Sequence, residues 1–216
     1  FPIVMLKRHA AEVCGGLTQT SKMPCKSYSL PTLACKTGFK MAQIKGSVCA
    51  SCYAQKGFYS MYAATIEPAQ HARLASIDDP LWSAAIIVLI GDDENFRWLD
   101  SGDLQSVEML EKIVEVCNGT PNCDHWLPTR EYAIVKAYIA KHGALPSNLV
   151  IRLSAMYPDV PVKIPASLQG IAGITASNVH TTVPMGTDCN ASKQGGACLD
   201  CRACWNRDAV ISYAMH

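Results

Sequence analysis

Four short apolar runs recur along the middle of this chain at a nearly even spacing, and they limit the folds it can reach. FRWL (Phe96–Leu99), HWLP (His125–Pro128), LVIRLS (Leu149–Ser154) and GITAS (Gly173–Ser177) have centres at Trp98, Leu127, Ile151 and Ile174, which lie 29, 24 and 23 residues apart. An apolar run of this length reads as a buried strand, and gaps of this size leave room for a returning helix. In the first gap, Val107, Leu110, Val114 and Cys117 recur every three or four residues, which predicts a helix over 104–117. A second helix is predicted near Tyr132–His142. The third gap holds Pro158, Pro161 and Pro165, which oppose a helix. The pattern predicts an α/β fold with a parallel sheet of strand–helix units, an incomplete (β/α) barrel.

Two more helices are expected upstream. YAATIEPAQHARLASI holds one, with Pro68 resetting its start. In DDPLWSAAIIVLIG, Asp79 reads as a cap, Pro80 as the first helical position and Gly91 as the stop. Residues 1–60 show no lasting apolar period, so the chain reads as one domain in three stretches. These are an irregular cysteine-containing segment (1–60), an α/β core (61–185) and a cysteine-rich tail (186–216). At 216 residues and 49% hydrophobic content, one core is the natural expectation. The longest apolar stretch, near Leu81–Ile90, is too short to span a bilayer. No signal peptide is evident, and a cytoplasmic location is expected. The start at Phe1 points to an upstream segment.

Eleven cysteines, an odd number, argue against a fully paired disulfide framework and for metal or redox use. They fall into two groups. Cys35, Cys49 and Cys52 form the first; Cys189, Cys198, Cys201 and Cys204 form the second. The run Cys198-x2-Cys201-x2-Cys204 has the spacing that wraps an iron–sulfur cubane, so one or two [4Fe-4S] clusters are expected. The four tail thiols saturate a cluster. The three N-terminal thiols leave one iron open, unless Cys25 supplies a fourth ligand. Zinc is the rival metal, held by Cys49 and Cys52 with Cys201 and Cys204. Cys117 reads as core, and Cys14 and Cys123 as free.

Polar residues gather just after the strand runs, where ligands bind in parallel α/β folds. Asp100, Asp103 and Arg130 are the candidate catalytic residues; Tyr53, Lys56, Ser154 and Asn178 are candidates for holding a cofactor or substrate. Asp103 alone reads as a helix cap. A cation near a helix start opposes the dipole, so Arg130 reads as an anion contact. A small-molecule or nucleotide-type anion is therefore the expected substrate. Net charge is only +1, yet residues 1–60 carry +7, residues 61–131 carry −9 and the rest +3. The basic first quarter admits nucleic acid as a partner, against the plainer reading of mutual neutralisation. A non-catalytic zinc or iron–sulfur protein acting on nucleic acid is thus the alternative to an iron–sulfur enzyme. No membrane partner is expected.

Together, SKMPCKSYSLP, CASCYAQKGFY, FRWLDSGD, WLPTRE and CLDCRACW resemble a family of cysteine-rich gene products encoded by phages and mobile elements. The likeness covers most of the chain and carries no activity with it. A looser likeness is to radical S-adenosylmethionine enzymes, whose cluster loop ends in Cys-x2-Cys, often Cys-Tyr, ahead of a parallel barrel. Cys52-Tyr53 stands at that place here. Thirteen residues separate Cys35 from Cys49, where those enzymes mostly have three. The likeness implies S-adenosylmethionine as a possible cofactor.

Overall fold

The computed structural model describes residues 5–20, 23–52 and 61–215. Its strands are β1 (Thr18–Gln19), β2 (Lys26–Tyr28), β3 (Asn95–Trp98), β4 (Asp124–Thr129), β5 (Leu149–Ser154), β6 (Ile174–His180), β7 (Thr187–Asp188) and β8 (Ile211–Ala214). They form one sheet in the order β1-β2-β3-β4-β5-β6-β8-β7. Only β1–β2 is antiparallel; every other pair is parallel. The α/β reading therefore holds. Barrel closure does not occur: β1 and β7 are two unjoined edges.

Six α-helices lie among the described residues: α1 (Lys7–Cys14), α2 (Lys36–Ala42), α3 (Ala63–Ser76), α4 (Trp82–Ile90), α5 (Val107–Gly119) and α6 (Tyr132–His142). None is long and apolar enough to cross a membrane. On one face of the sheet Phe96, Trp98, Leu127, Ile151 and Leu153 pack under the helices, with α1 against α4, α4 against α5 and α5 against α6. Burying a side chain of this size stabilises by about 1.5–3 kcal/mol. The other face carries Trp126 and Val150, which meet Trp205 from the tail and Cys25 from the segment before β2. Both faces are covered, so all six residues of LVIRLS are buried.

The segments read as irregular are not wholly so. Residues 1–60 supply α1, α2, β1 and β2, and the tail supplies β8. These strands are two to four residues long, too short to show a period, and β2 is Lys-Ser-Tyr. Tertiary pairing with β3 makes it a strand, not propensity. Pro68 does not reset its helix, because α3 begins at Ala63 and runs through it. Pro80 precedes α4 rather than opening it, and Gly91 follows the last turn as expected. The third connection has only a 3-10 turn, Ala166–Leu168.

Candidate functional site

Cys35, Cys49 and Cys52 lie on the long excursion that follows β2. Three ties hold this loop over the C-terminal ends of the strands. Thr37 donates its backbone N–H (2.7 Å) and hydroxyl (2.8 Å) to the Glu131 carboxylate, at the end of β4. The Val48 N–H donates to the Met156 carbonyl, just after β5, at 2.9 Å. Gln105 Nε2, ahead of α5, donates to the Ala34 carbonyl at 3.0 Å. Within the loop, Ser47 Oγ donates to Met41 O (2.6 Å) and accepts from the Ala50 N–H (3.1 Å), closing the turn that carries Cys49.

This brings the three thiols together beside two predicted residues. Burial pushes the Cys35 thiol up to about 12; Asp103, Cys52 and Cys49 add to that rise and Arg130 opposes it. Burial also raises Cys49, with Arg130 opposing and Cys52 and Asp103 adding. Cys35 and Cys49 are therefore neutral thiols at pH 7, and a metal binding there would release protons. Gly38 stands in the first turns of α2 with an ordinary helical backbone. A Cβ built on it would lie 3.7 Å from each of the Cys35 and Cys49 sulfurs and 3.0 Å from Cys35 Cβ. Glycine inside a helix costs about 1 kcal/mol against alanine. Here the missing side chain keeps open the space between two sulfurs.

Asp103 does not cap α5, since Ser106 does so by accepting from the Met109 N–H at 3.1 Å. Instead the buried Asp103 carboxylate accepts from Thr129 Oγ1 (2.5 Å), the Arg130 N–H (2.9 Å) and its neighbour Leu104 N–H (2.8 Å). Burial raises its pKa to about 6 against these bonds. The DSGD turn is pinned to the segment after β2: the Leu30 N–H donates to the Ser101 carbonyl at 2.9 Å, and Ser101 Oγ donates to Leu30 O at 3.0 Å. Gly102 has φ 77, and a Cβ there would fall 2.5 Å from Leu30 Cβ. Only glycine fits. Arg130 donates Nε to the Ala155 carbonyl at 3.0 Å, and the residue is half-buried.

The remaining candidates are scattered. Asp100 is buried just past β3. Ser154 ends β5, 3.4 Å from Ser177 Oγ, and its carbonyl accepts from the Tyr132 hydroxyl at 2.7 Å. Asn178 accepts from the Val162 N–H (2.8 Å) and donates to Met185 O (2.7 Å), bracing two loops. Tyr53 and Lys56 lie outside the described residues. Glu131 and Gly38 were not singled out by sequence reasoning. Glu131 had a signal, its place after a strand; Gly38 had only its presence among helix formers.

The second thiol group occupies the other face of the sheet. The Cys189 and Cys201 thiols both raise the Cys198 pKa, and Cys189 also raises Cys204, though burial is the main cause for each. Cys204 reaches about 11 and lies 3.2 Å from the Tyr213 hydroxyl. Cys25 belongs here. It packs in one cluster with Cys204, Trp126 and Trp205, and its pKa of about 12, raised mainly by burial, is raised further by Cys198. It therefore does not close the first group. Cys49 and Cys52 share one neighbourhood and Cys204 another, so the mixed four-thiol zinc site is not assembled. Among the described residues, no group of three or more His, Cys, Asp or Glu side chains could hold a metal ion.

A family model described as Gene product 88 matches residues 5–207. The chain belongs to that family. The Gene product 88 match spans both thiol groups and every strand but β8, and it bears out the resemblance to a phage-type gene-product family. No curated protein and no solved structure matches the chain.

Proposed function

We propose that the chain is an iron–sulfur enzyme whose loop thiols hold a [4Fe-4S] cluster with one open iron and whose tail thiols hold a second, closed cluster. One observation carries this reading. Cys35, Cys49 and Cys52 gather over the strand ends beside Asp103 and Arg130, while the one thiol that might have completed them, Cys25, sits with the tail. An open iron would supply a Lewis acid or an electron there. Arg130, anchored through Nε, presents its two remaining nitrogens to a carboxylate or phosphate. The Asp103 carboxyl, buried beside Cys35, can take or return a proton. The order of strand, cysteine loop and parallel sheet also favours the looser likeness, so S-adenosylmethionine, through its carboxylate, is one ligand to try; Tyr53 and Lys56 are its nearest candidates in sequence.

Anaerobically purified protein should be brown, with iron and acid-labile sulfide near eight of each per chain for two cubanes. S-adenosylmethionine or a substrate anion should alter the electron paramagnetic resonance of one cluster only. Stoichiometric zinc without sulfide would end this reading.

One observation favours the alternative, a metal protein that acts on nucleic acid. Arg8 pairs with Glu12 and Lys26 with Asp93, so part of the basic first quarter is neutralised. Lys40 and Lys45 remain exposed on the cysteine loop, with exposed Phe39 beside them for a base to stack on. Nucleic-acid binding with a steep salt slope and no ligand effect on the clusters would select it.

A further inference from the structure

We propose that the strand-end site takes a single-stranded nucleic acid, with one base on Phe39, one on Tyr157 and a phosphate on Arg130 between them. This rests on the strand-end site of the reading above and names its ligand, whatever the thiols hold. Three features support it.

The first is a cation set between two rings. Arg130 and Glu131, at the end of β4, are bound from both sides. On one side the Glu131 carboxylate accepts from the N–H and hydroxyl of Thr37 in the first turn of α2. Phe39 stands half a turn further on and is 55% exposed. On the other side Arg130 donates Nε to the Ala155 carbonyl, and the Val48 N–H ties the cysteine loop to the Met156 carbonyl. Tyr157 comes next and is 39% exposed. The two rings therefore flank one half-buried arginine. Exposed rings beside cations hold unpaired bases, because every base has a face to stack.

The second is the supply of donors. Arg152, buried on the tail side, gives all five of its N–H donors to backbone carbonyls, of Cys204, Ala176, Ala209, Ala203 and Asn206. Arg130 gives one to the described residues and keeps a fork of two nitrogens for a phosphate. No residue of α2 is buried, and Lys36, Phe39 and Lys40 share one side of it at steps of three and four. That side of α2 faces solvent with a ring and two cations.

The third is the separation of charge. From residue 29 to 52 the loop holds Lys36, Lys40 and Lys45 and no Asp or Glu. The exposed Asp159, after β5, spends its carboxylate on the Thr181 N–H (2.8 Å) and hydroxyl (2.6 Å). Acidic residues gather at the opposite ends of the strands: Asp92, Asp93 and Glu94 lead into β3, and Asp124 opens β4. This separation turns the strand-end face toward a polyanion and the other end away. A duplex keeps its base faces stacked inside, out of reach of Phe39 and Tyr157. A bilayer would meet the exposed Leu33 and Phe39 but not the half-buried Arg130.

The test uses the full chain, purified anaerobically, and a labelled oligothymidylate of about fifteen nucleotides followed by fluorescence anisotropy. It should bind about tenfold tighter than a duplex of the same length. With Lys40, Lys45 and Arg130 each on a phosphate, the slope of log affinity against log salt should be about −2. Phe39→Ala and Tyr157→Ala should each weaken binding about tenfold at an unchanged slope, and Phe39→Tyr and Tyr157→Phe should restore it. Lys40→Gln combined with Lys45→Gln should flatten the slope to about −0.7. Lys141→Gln, at the far end of α6 and paired with Glu111, should change nothing. Both rings are exposed, so their variants should melt with the wild type. Equal affinity for the duplex, or ring variants that bind as the wild type does, overturns the proposal. Binding to phosphatidylserine vesicles in place of the oligonucleotide overturns it too and gives the face to a membrane. Iron and sulfide measured on the same samples separate the two readings: their presence without oligonucleotide binding sinks this proposal alone, and binding without them sustains it while ending the iron–sulfur reading.

Discussion

The two thiol groups sit on one sheet yet differ in every neighbour. The loop group lies over the C-terminal ends of the strands, held by hydrogen bonds from Thr37, Val48 and Gln105, with the carboxylate of Asp103 and the partly open Arg130 beside it. The tail group lies against the face formed by Trp126 and Val150, under Arg97, Arg152 and Arg202, with indole rings around it. Carboxylates and an available cation equip a place to bind and turn over a ligand. The buried Arg152 and the aromatic packing would suit a place that holds an anion still.

The largest effect should come from the clamp under the tail. Arg152→Met strips five carbonyls of their donor, and urea unfolding should show a loss of about 3–5 kcal/mol. In iron-loaded protein the tail signal should vanish while the loop signal survives. Loss of both together would mean that the two sites are one unit.

A residue belonging to neither site gives the common baseline. His125 is fully buried, accepts from the Trp98 indole N–H through Nδ1 at 3.2 Å, and meets Thr120 Oγ1 through Nε2 at 2.8 Å. Burial lowers its pKa from 6.5 to about 4. Below pH 6.5 the unfolded chain takes up a proton that the folded chain refuses until about pH 4. Stability from this group is therefore present above pH 6.5 and falls by about 3 kcal/mol toward pH 4. His125→Gln should flatten that slope in denaturation curves taken across the window.

Gly102→Ala sharpens the loop side. The new Cβ meets Leu30 at 2.5 Å in a left-handed turn, so a loss of about 2 kcal/mol in melting experiments is expected, with the tail signal unchanged. The smallest effect should have opposite signs in two assays. Gly38→Ala should stabilise metal-free protein by up to about 1 kcal/mol through helix propensity, and lower iron retention at the loop site by filling the space beside Cys35 and Cys49. Unchanged iron would show that this space is not where a cluster sits.

The sequence displayed the long elements well. LVIRLS and Tyr132–His142 fall on β5 and α6 with the same bounds, because one is a short, mostly apolar run and the other a longer stretch that stops at Gly143 in a left-handed turn. β2 was hidden, since three residues hold no period and Lys-Ser-Tyr has no strand composition; its partner β3 lies some seventy residues away. Spacing within the chain divides the thiols into two groups and offers Cys25 to the first, whereas its packed neighbours Trp205 and Cys204 come from the far end of the chain. Arg152 was unreadable for a related reason: inside an apolar run a lone arginine gives no hint that five distant carbonyls await it. Asp103 looked like a cap by position, and the true cap, Ser106, stood three residues on.

The strand order sets a timetable for assembly. β8, Ile211–Ala214, is inserted between β6 and β7, so Thr187–Asp188 has no sheet partner until a strand made some twenty residues later arrives. Such late, non-local pairings are slow steps. The stretch from Cys189 to Cys204 lies between those two strands and stays an unclosed loop until the last one docks. A newly made chain thus keeps its tail thiols accessible while the helical face is already packed. The seal over Trp126 falls at the end of folding, and any metal proposed for the tail would have to load no later than that.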